Sequence, residues 1–506
     1  MPVSPLPENP SLENLRHRAK GLLEEVRAGR PEALARIREF HPKGEAAAAA
    51  LVLSGAQLVL ARSYGFSSWP KLKRHVETIA PFRFDPTADV ENAPGSAADT
   101  FVRLACLDYG RWQRSDLPKA QAMVEAEPAI CASSIFAASA AGDVPAARAM
   151  LDRQPELARA RGGPFGWEPL LYACYSRLGD SARRSTSTLE VARLLLERGA
   201  DPNAGFLWQG NLPPFTALTG AFGEGEGGAS QPAHPRRDEL ARLLLDAGAD
   251  PNDGQTLYNR HFREEDGHLR LLFEYGLSGD RGGPWYRRFS DRLTSPARLL
   301  VEELWSAARR GFAGRVRLLV EHGADVNMPG LRDGRTPYEA AVLAGNAGIA
   351  AYLRAHGARE VPLDPGDAFA AAVVSGRREE ALSLLKKHPG LPGALGLHGR
   401  MQLLQRAVEA AQLDGVRLMA ELGFEISGIT RHDGVGVSLA ATPLHNAAWI
   451  GNLPMVRLLI ELGADPNLRD PNHDATPLGW AEYNGQTEVA RYLAEIAGIE
   501  SPGRRG

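Results

Sequence analysis

The sequence predicts an all-α solenoid, built from helix pairs of fixed period joined by short hairpin turns and preceded by a small helical domain. Three observations predict it. Thr442-Pro443-Leu444-His445-Asn446-Ala447-Ala448 runs through Gly451 and the apolar Val456 to Leu459 into Gly463-Ala464-Asp465-Pro466-Asn467. The same frame restarts 34 positions after Thr442 at Thr476-Pro477-Leu478, and an earlier copy opens at Thr336-Pro337-Tyr338-Glu339-Ala340-Ala341. The pentapeptide Gly-Ala-Asp-Pro/Val-Asn recurs at 199–203, 248–252, 323–327 and 463–467, each time after an apolar run such as Ala192-Arg193-Leu194-Leu195-Leu196. A period near 33 residues is the mark of stacked supersecondary units that bury their apolar faces against one another.

Each residue of the frame has a local task. Thr442 can cap the first helix through its hydroxyl, and Pro443 brings the φ angle favoured at the first helical position. Thr336 with Glu339 has the spacing of a capping box. Ala447 and Ala448 are small enough for close approach between helix pairs, and Leu458 and Leu459 lie on the face that buries. Gly463 ends the second helix in the left-handed region, after which Asp465 and Asn467 turn the chain.

These motifs closely resemble the ankyrin repeat family. The resemblance implies an array over 97–498 of about eleven repeats, with poorer copies at 97–165 and 365–424. It also implies a concave face, lined by first helices and hairpin tips, on which a protein partner binds. His445 is expected to brace its turn by hydrogen bonds. One position of the first helix is aromatic in several copies: Trp449, Tyr483, Phe262 and Tyr175. Trp480 stands where another copy has Asn446. Aromatic side chains carry a large share of interface energy, so these rings are the expected anchors, with packing on the adjacent turn as the competing reading. The tip residues Arg332, Asp333, Arg335, Asp470, His473 and Asp474 are expected to rim such a site.

Three insertions interrupt the period, near 177–187, 223–236 and 279–294. The first two are expected side by side on one edge, as functional loops or as flexible filler. The third holds Pro284-Trp285-Tyr286-Arg287-Arg288-Phe289, whose Trp285 and Tyr286 join the list of partner-binding candidates.

Residues 1–80 lack the repeat and show helical patterns at about 11–28, 31–40, 55–64 and 68–79. Residues 81–96 are expected to form a linker and 499–506 a tail. The stretch from Ala56 to Arg74 resembles a helical module that precedes ankyrin repeats in bacterial proteins. It also resembles a DNA-reading helix–turn–helix, in which Ser67, Lys71 and Arg74 would face the major groove. Trp69, Leu72, Val76 and Ile79 stand at helical spacing and make a core the better reading.

Composition narrows the function. With 58 basic and 61 acidic residues the formal net charge is -3, which argues against nucleic acid or a membrane surface as the partner. No apolar run reaches a membrane-spanning length, and Met1-Pro2-Val3-Ser4-Pro5 lacks the pattern of a secretory leader. Cys106, Cys131 and Cys174 have neither disulfide nor metal-ligand spacing and read as buried thiols of a reducing, cytoplasmic compartment.

Gly223-Glu224-Gly225-Glu226-Gly227-Gly228 formally fits a dinucleotide fingerprint, but two carboxylates would repel phosphate, and a flexible loop is expected. His432, His445, His473 and Asp474 lack metal-ligand spacing. Glu264-Glu265 and Glu302-Glu303 are expected on solvated helix faces. The reading is therefore a monomeric, non-catalytic scaffold for a protein partner, without cofactor or metal. A DNA-binding regulator using 55–79, or an enzyme with a site on the inserted loops, stands as the alternative.

Overall fold

A computed structural model describes residues 4–86, 96–110, 112–114, 116–180, 186–279, 282–289, 292–431 and 440–498. His432, residues 181–185 of the first insertion, residues 280–281 and 290–291 of the third, the end of the expected linker and the expected tail lie outside them. The chain forms two compact units, one of Met1–Phe222, Ala233–Thr256 and Gly282–Leu293, the other of Gly223–Pro232, Leu257–Arg281 and Thr294–Gly506.

In the first unit, helices Leu12–Arg27, Pro31–Phe40, Leu53–Ser63 and Trp69–Ile79 precede the repeats. They enclose two small cores, one around Leu22, Ile37 and Val59, the other around Leu15, Leu60, Tyr64, Leu72 and Val76. Ser68 caps the fourth helix through the Lys71 N–H. The first helices of the repeats, Ala97–Ala105, Ile135–Ala141, Pro169–Tyr175 and Ala217–Phe222, then pack each on the next. The helices Asp116–Ala126, Val144–Arg153, Thr188–Glu197 and Arg237–Asp246 back them.

Part of the expected linker is a structural element. Strand Arg83–Phe84 pairs in parallel with Gly205–Trp208, Arg83 opposite Leu207 and Phe84 opposite Trp208. Gly205–Trp208 pairs in turn antiparallel with Phe215–Thr216. The third insertion folds onto the same place. Its helix Pro284–Phe289 brings Trp285 and Phe289 into one core with Ile79 and Leu207. The Trp285 indole donates to the Asn203 carbonyl at 2.9 Å, and its ring meets Phe82 edge-on at 4.9 Å. Arg292 lies over Phe66 at 3.5 Å and donates to the Gly65 carbonyl. The insertion therefore joins the N-terminal helices to the repeats.

The first two insertions meet where Arg236 pairs with Asp180 at 2.6 Å, and buried His234 lies 2.8 Å from Thr188. His234 Nδ1 accepts from the Arg236 N–H at 3.0 Å, so its Nε2 carries the proton donated to Thr188. All three cysteines are buried, and none is in a disulfide.

The second unit stacks first helices Pro296–Arg310, Pro337–Leu343, Pro365–Val374, Leu391–Glu409, Pro443–Ile450 and Pro477–Tyr483 in chain order. Helices Ala313–Glu321, Ala347–Ala355, Arg378–Lys387, Leu413–Glu421, Leu453–Glu461 and Thr487–Ile496 back them. A core running from Phe369 through Leu404, Met419, Leu444 and Leu459 to Leu493 is continuous across neighbours, as a stack without a single centre requires. The caps match their residue types. Thr336 and Thr442 close capping boxes with Glu339 and His445, and Gly451 takes φ of 82° at a helix end. The His445 ring donates from Nε2 to the Ala475 carbonyl at 3.0 Å, bracing the following turn.

Candidate interaction surface

The first helices of the last two repeats, Pro443–Ile450 and Pro477–Tyr483, hold an aromatic stack. Trp449 and Tyr483 occupy the same repeat position on adjacent helices, and their rings stack at 6.0 Å. Tyr483 is 62% exposed and Trp449 half-buried. Trp480 lies beneath, edge-on to Trp449 at 5.8 Å and to His445 at 5.2 Å. Its indole donates to Asp470 Oδ2 at 3.0 Å, and that carboxylate also accepts from the backbone of Asn472, His473 and Ala475. These bonds hold the Asp470 carboxyl below its usual range despite desolvation, which acts in the opposite sense.

Several expected anchors are buried and serve the fold. Tyr175 is fully buried among Trp167, Phe206 and Tyr109, and donates to the Thr216 carbonyl at 2.8 Å. The strand pair Gly205–Trp208 and Phe215–Thr216 brings rings onto a position that stays open in the last repeat. Trp285 belongs to the N-terminal docking core, with Tyr286 half-buried beside it and its hydroxyl pKa raised by burial and by Asp250. Trp480 and Asp470 are spent on each other. His473 and Arg332 are exposed, and Phe262 is half-buried beneath the Arg310 guanidinium at 5.2 Å.

The glycine- and glutamate-rich insertion, expected as a flexible loop, forms a strap in this unit. Residues Gly228–Ser230 make a turn, and the Ala229 N–H donates to Asn484 Oδ1 at 2.9 Å. The Asn484 amide donates in turn to the Trp449 carbonyl at 2.6 Å, and Arg263 reaches Asn484 Oδ1 at 3.3 Å. Gly228 adopts φ of +53°, and a Cβ there would lie 2.4 Å from Asn484 Oδ1, so only glycine fits. Glu224 pairs with Arg260 at 2.5 Å, and the Tyr258 hydroxyl donates to Glu226.

A buried charge network supports this end of the face. Arg315, fully buried, pairs with Asp266 at 2.7 Å and donates to the carbonyls of Arg263 and Glu265 at 2.6 and 3.2 Å. It thereby fixes the turn after helix Gly254–Arg260. Glu303 is 3% exposed, 3.9 Å from Arg315 and 4.0 Å from His261. This corrects its expected solvated position, whereas Glu265, its side chain 44% exposed, stays at the surface and pairs with Arg260 at 2.5 Å. Desolvation raises the Glu303 carboxyl to about 7, although Arg315 and Arg310 oppose that shift. Burial, followed by Arg310 and Arg332, pushes His261 well below its usual range. Sequence reasoning missed the network because its members come from different repeats and none belongs to the repeat frame.

Among the described residues, no His, Cys, Asp and Glu side chains group as a metal site requires, and no helix is long and apolar enough to cross a membrane.

The family models of ankyrin repeats match residues 404–502, as three copies, and residues 165–205. Similar curated proteins include "Ankyrin repeat and SAM domain-containing protein 6" of Rattus norvegicus, 49% identical over 53 residues, and its Mus musculus namesake, 47% identical over the same length. The likeness covers 10% of this chain and 6% of each relative, so the chain matches a small part of those proteins. The chain carries ankyrin repeats, and its fold is an all-α ankyrin solenoid with a few short strands.

Proposed function

We propose that the protein is a non-catalytic scaffold that binds a protein partner on the inner face of its second unit, with Trp449 and Tyr483 as anchors. Ankyrin repeats generally mediate protein–protein interaction, which sets the class of function. The observation that carries the placement is Tyr483, a large aromatic side chain 62% exposed and stacked on Trp449 rather than folded into a core. A ring pair already stacked, with one ring facing solvent, has less freedom to lose on binding than two separate side chains. Full-length protein and a Trp449→Ala/Tyr483→Ala form are compared in pull-downs from the native host, and the captured partner is titrated against both. Loss of two central anchors is expected to weaken binding by at least about tenfold. Equal affinity for the two forms refutes the placement.

We further place the protein in the cytosol as a monomer of bacterial type. Three buried cysteines outside any disulfide support a reducing compartment, and the bacterial assignment rests on the resemblance of residues 56–74 alone. A DNA-reading role for 55–79 has no specific support: Leu72 and Val76 lie in the module's own core, and Ile79 in the docking core with Trp285. An active site on the inserted loops gains none either, because helix Pro284–Phe289 is engaged in that docking.

A further inference from the structure

We propose that the strap is an autoinhibitory segment: residues 223–232 fill in cis a receptor formed by Tyr258, Arg260, Arg263 and Asn484, which an acidic, glycine-rich turn of the partner takes over as it binds to Trp449 and Tyr483. This rests on the reading of those two rings as partner anchors, and adds the chemistry of what binds beside them and of what holds the site closed.

The contacts of the occupant are direct. The Ala229 N–H donates to Asn484 Oδ1 at 2.9 Å. Glu224 pairs with Arg260 at 2.5 Å and lies 4.0 Å from Arg263, and Glu226 accepts from the Tyr258 hydroxyl. Asn484 is 6% exposed, follows Tyr483 in the chain and donates to the Trp449 carbonyl at 2.6 Å. The strap therefore meets the ends of the two helices that carry the anchors. A partner of ordinary size covers about 800 Å² on each side, well beyond two rings, so one seated on Trp449 and Tyr483 reaches the strap.

The strap is built as a displaceable cover. Each receptor group keeps a second partner when it leaves. Arg260 retains Glu265 at 2.5 Å, and Asn484 retains the Trp449 carbonyl and Arg263, which is 3.3 Å from its Oδ1. No buried charge is orphaned, which is the main cost of breaking such contacts. The Glu224 N–H bonds the Gln231 carbonyl at 2.7 Å and the Gly227 N–H bonds Gln231 Oε1 at 2.9 Å, so the loop lifts without unravelling. Glu224 is held at φ of +59°, a left-handed conformation that contacts must impose on a residue other than glycine. Glycine at 223, 225, 227 and 228 gives the released segment extra backbone freedom, and no large apolar side chain holds it down.

The occupant also shows what the receptor accepts: carboxylates at two alternate residues and a backbone N–H from the glycine turn that follows. Any segment supplies the N–H, whereas Arg260 and Arg263 select the carboxylates.

The test uses full-length protein and a head-to-tail cyclic peptide of residues 223–232, whose closure reproduces the bond between 224 and 231, followed by calorimetry. In the wild type the tethered strap fills the receptor at high effective concentration. Gly228→Val places a side chain against Asn484 Oδ1 at a residue with φ of +53°, and is expected to lift the strap. The peptide should then bind at least about tenfold more tightly than to wild type. A chain in which Asn-Gly replaces residues 224–231 is expected to behave alike, and guards against misfolding of the first variant. Asn484→Ala in the Gly228→Val chain, or a peptide with Gln at both glutamate positions, is expected to lose that gain. Equal binding by wild type and both opened chains, absent binding included, overturns the proposal, as does a Gln peptide that binds as tightly as the Glu peptide. Trp449→Ala/Tyr483→Ala in the Gly228→Val chain is expected to leave peptide binding intact, so failure of the receptor and failure of the anchors are read separately.

Discussion

Replacing Glu303 with Gln should make the second unit more stable at alkaline pH, although it removes a partner of a buried arginine. Glu303 has an ordinary value of 4.5 and stands at about 7 in the folded chain, chiefly through desolvation. A carboxyl raised on folding binds more protons folded than unfolded, so stability falls as pH rises between those two values. At about 1.4 kcal/mol per pH unit the ceiling is near 3 kcal/mol, of which roughly 2–3 kcal/mol falls between about pH 5 and pH 8. His261, whose value is lowered, acts with the opposite sign below its unfolded value and lies 4.0 Å from Glu303, so both forms are compared in a His261→Gln background to isolate Glu303. Arg315 keeps Asp266 and two carbonyl acceptors when Glu303 is neutral, so the substitution leaves no orphaned charge. Hydrogen exchange of a peptide spanning 296–310, corrected for intrinsic rates, reads the opening free energy in a stack that does not unfold in one step. The form that keeps Glu303 should lose protection from about pH 5 to pH 8 relative to Glu303→Gln. Parallel profiles for the two proteins would refute the assignment of a buried, near-neutral carboxyl.

Trp285→Ala should release the N-terminal helices while leaving the repeats folded. It removes a buried ring and the bond to Asn203, a loss on the order of 3–5 kcal/mol, read by limited proteolysis as new cleavage between about residues 80 and 96 before any within the array. Asn484→Ala should free the strap, since one amide holds the Ala229 N–H, the Trp449 carbonyl and Arg263. A loss of about 1–3 kcal/mol is expected, seen as faster hydrogen exchange in 223–232, and unchanged exchange there would show that Glu224 and Glu226 suffice to hold it.

The local design was legible in the chain. The Thr-Pro caps, the alanines of the first helices, the leucine faces and the left-handed glycines act within one repeat and its neighbour, so their spacing determines the helix pairs and the stack. His445 bracing its turn was implied by the resemblance to the ankyrin family, and its bond to the Ala475 carbonyl bears it out. What lay beyond the repeat was decided by packing between distant residues. Position 175 and position 483 share one slot, yet Tyr175 is sealed by strands at 205–208 and 215–216 while Tyr483 faces solvent. Trp285 looked like a loop anchor and is the keystone of the N-terminal docking, because Ile79, Phe82 and Leu207 arrive from other parts of the chain. Glu303 has nothing in its neighbourhood of sequence to mark it as buried; Arg315 and His261 do so only in three dimensions. The sequence by itself determined a solenoid of ankyrin repeats, since short-range periodicity specifies short-range contacts. Which rings stay free, which charges are buried and where the insertions land depended on the tertiary structure, since burial is a property of neighbours far apart in the chain.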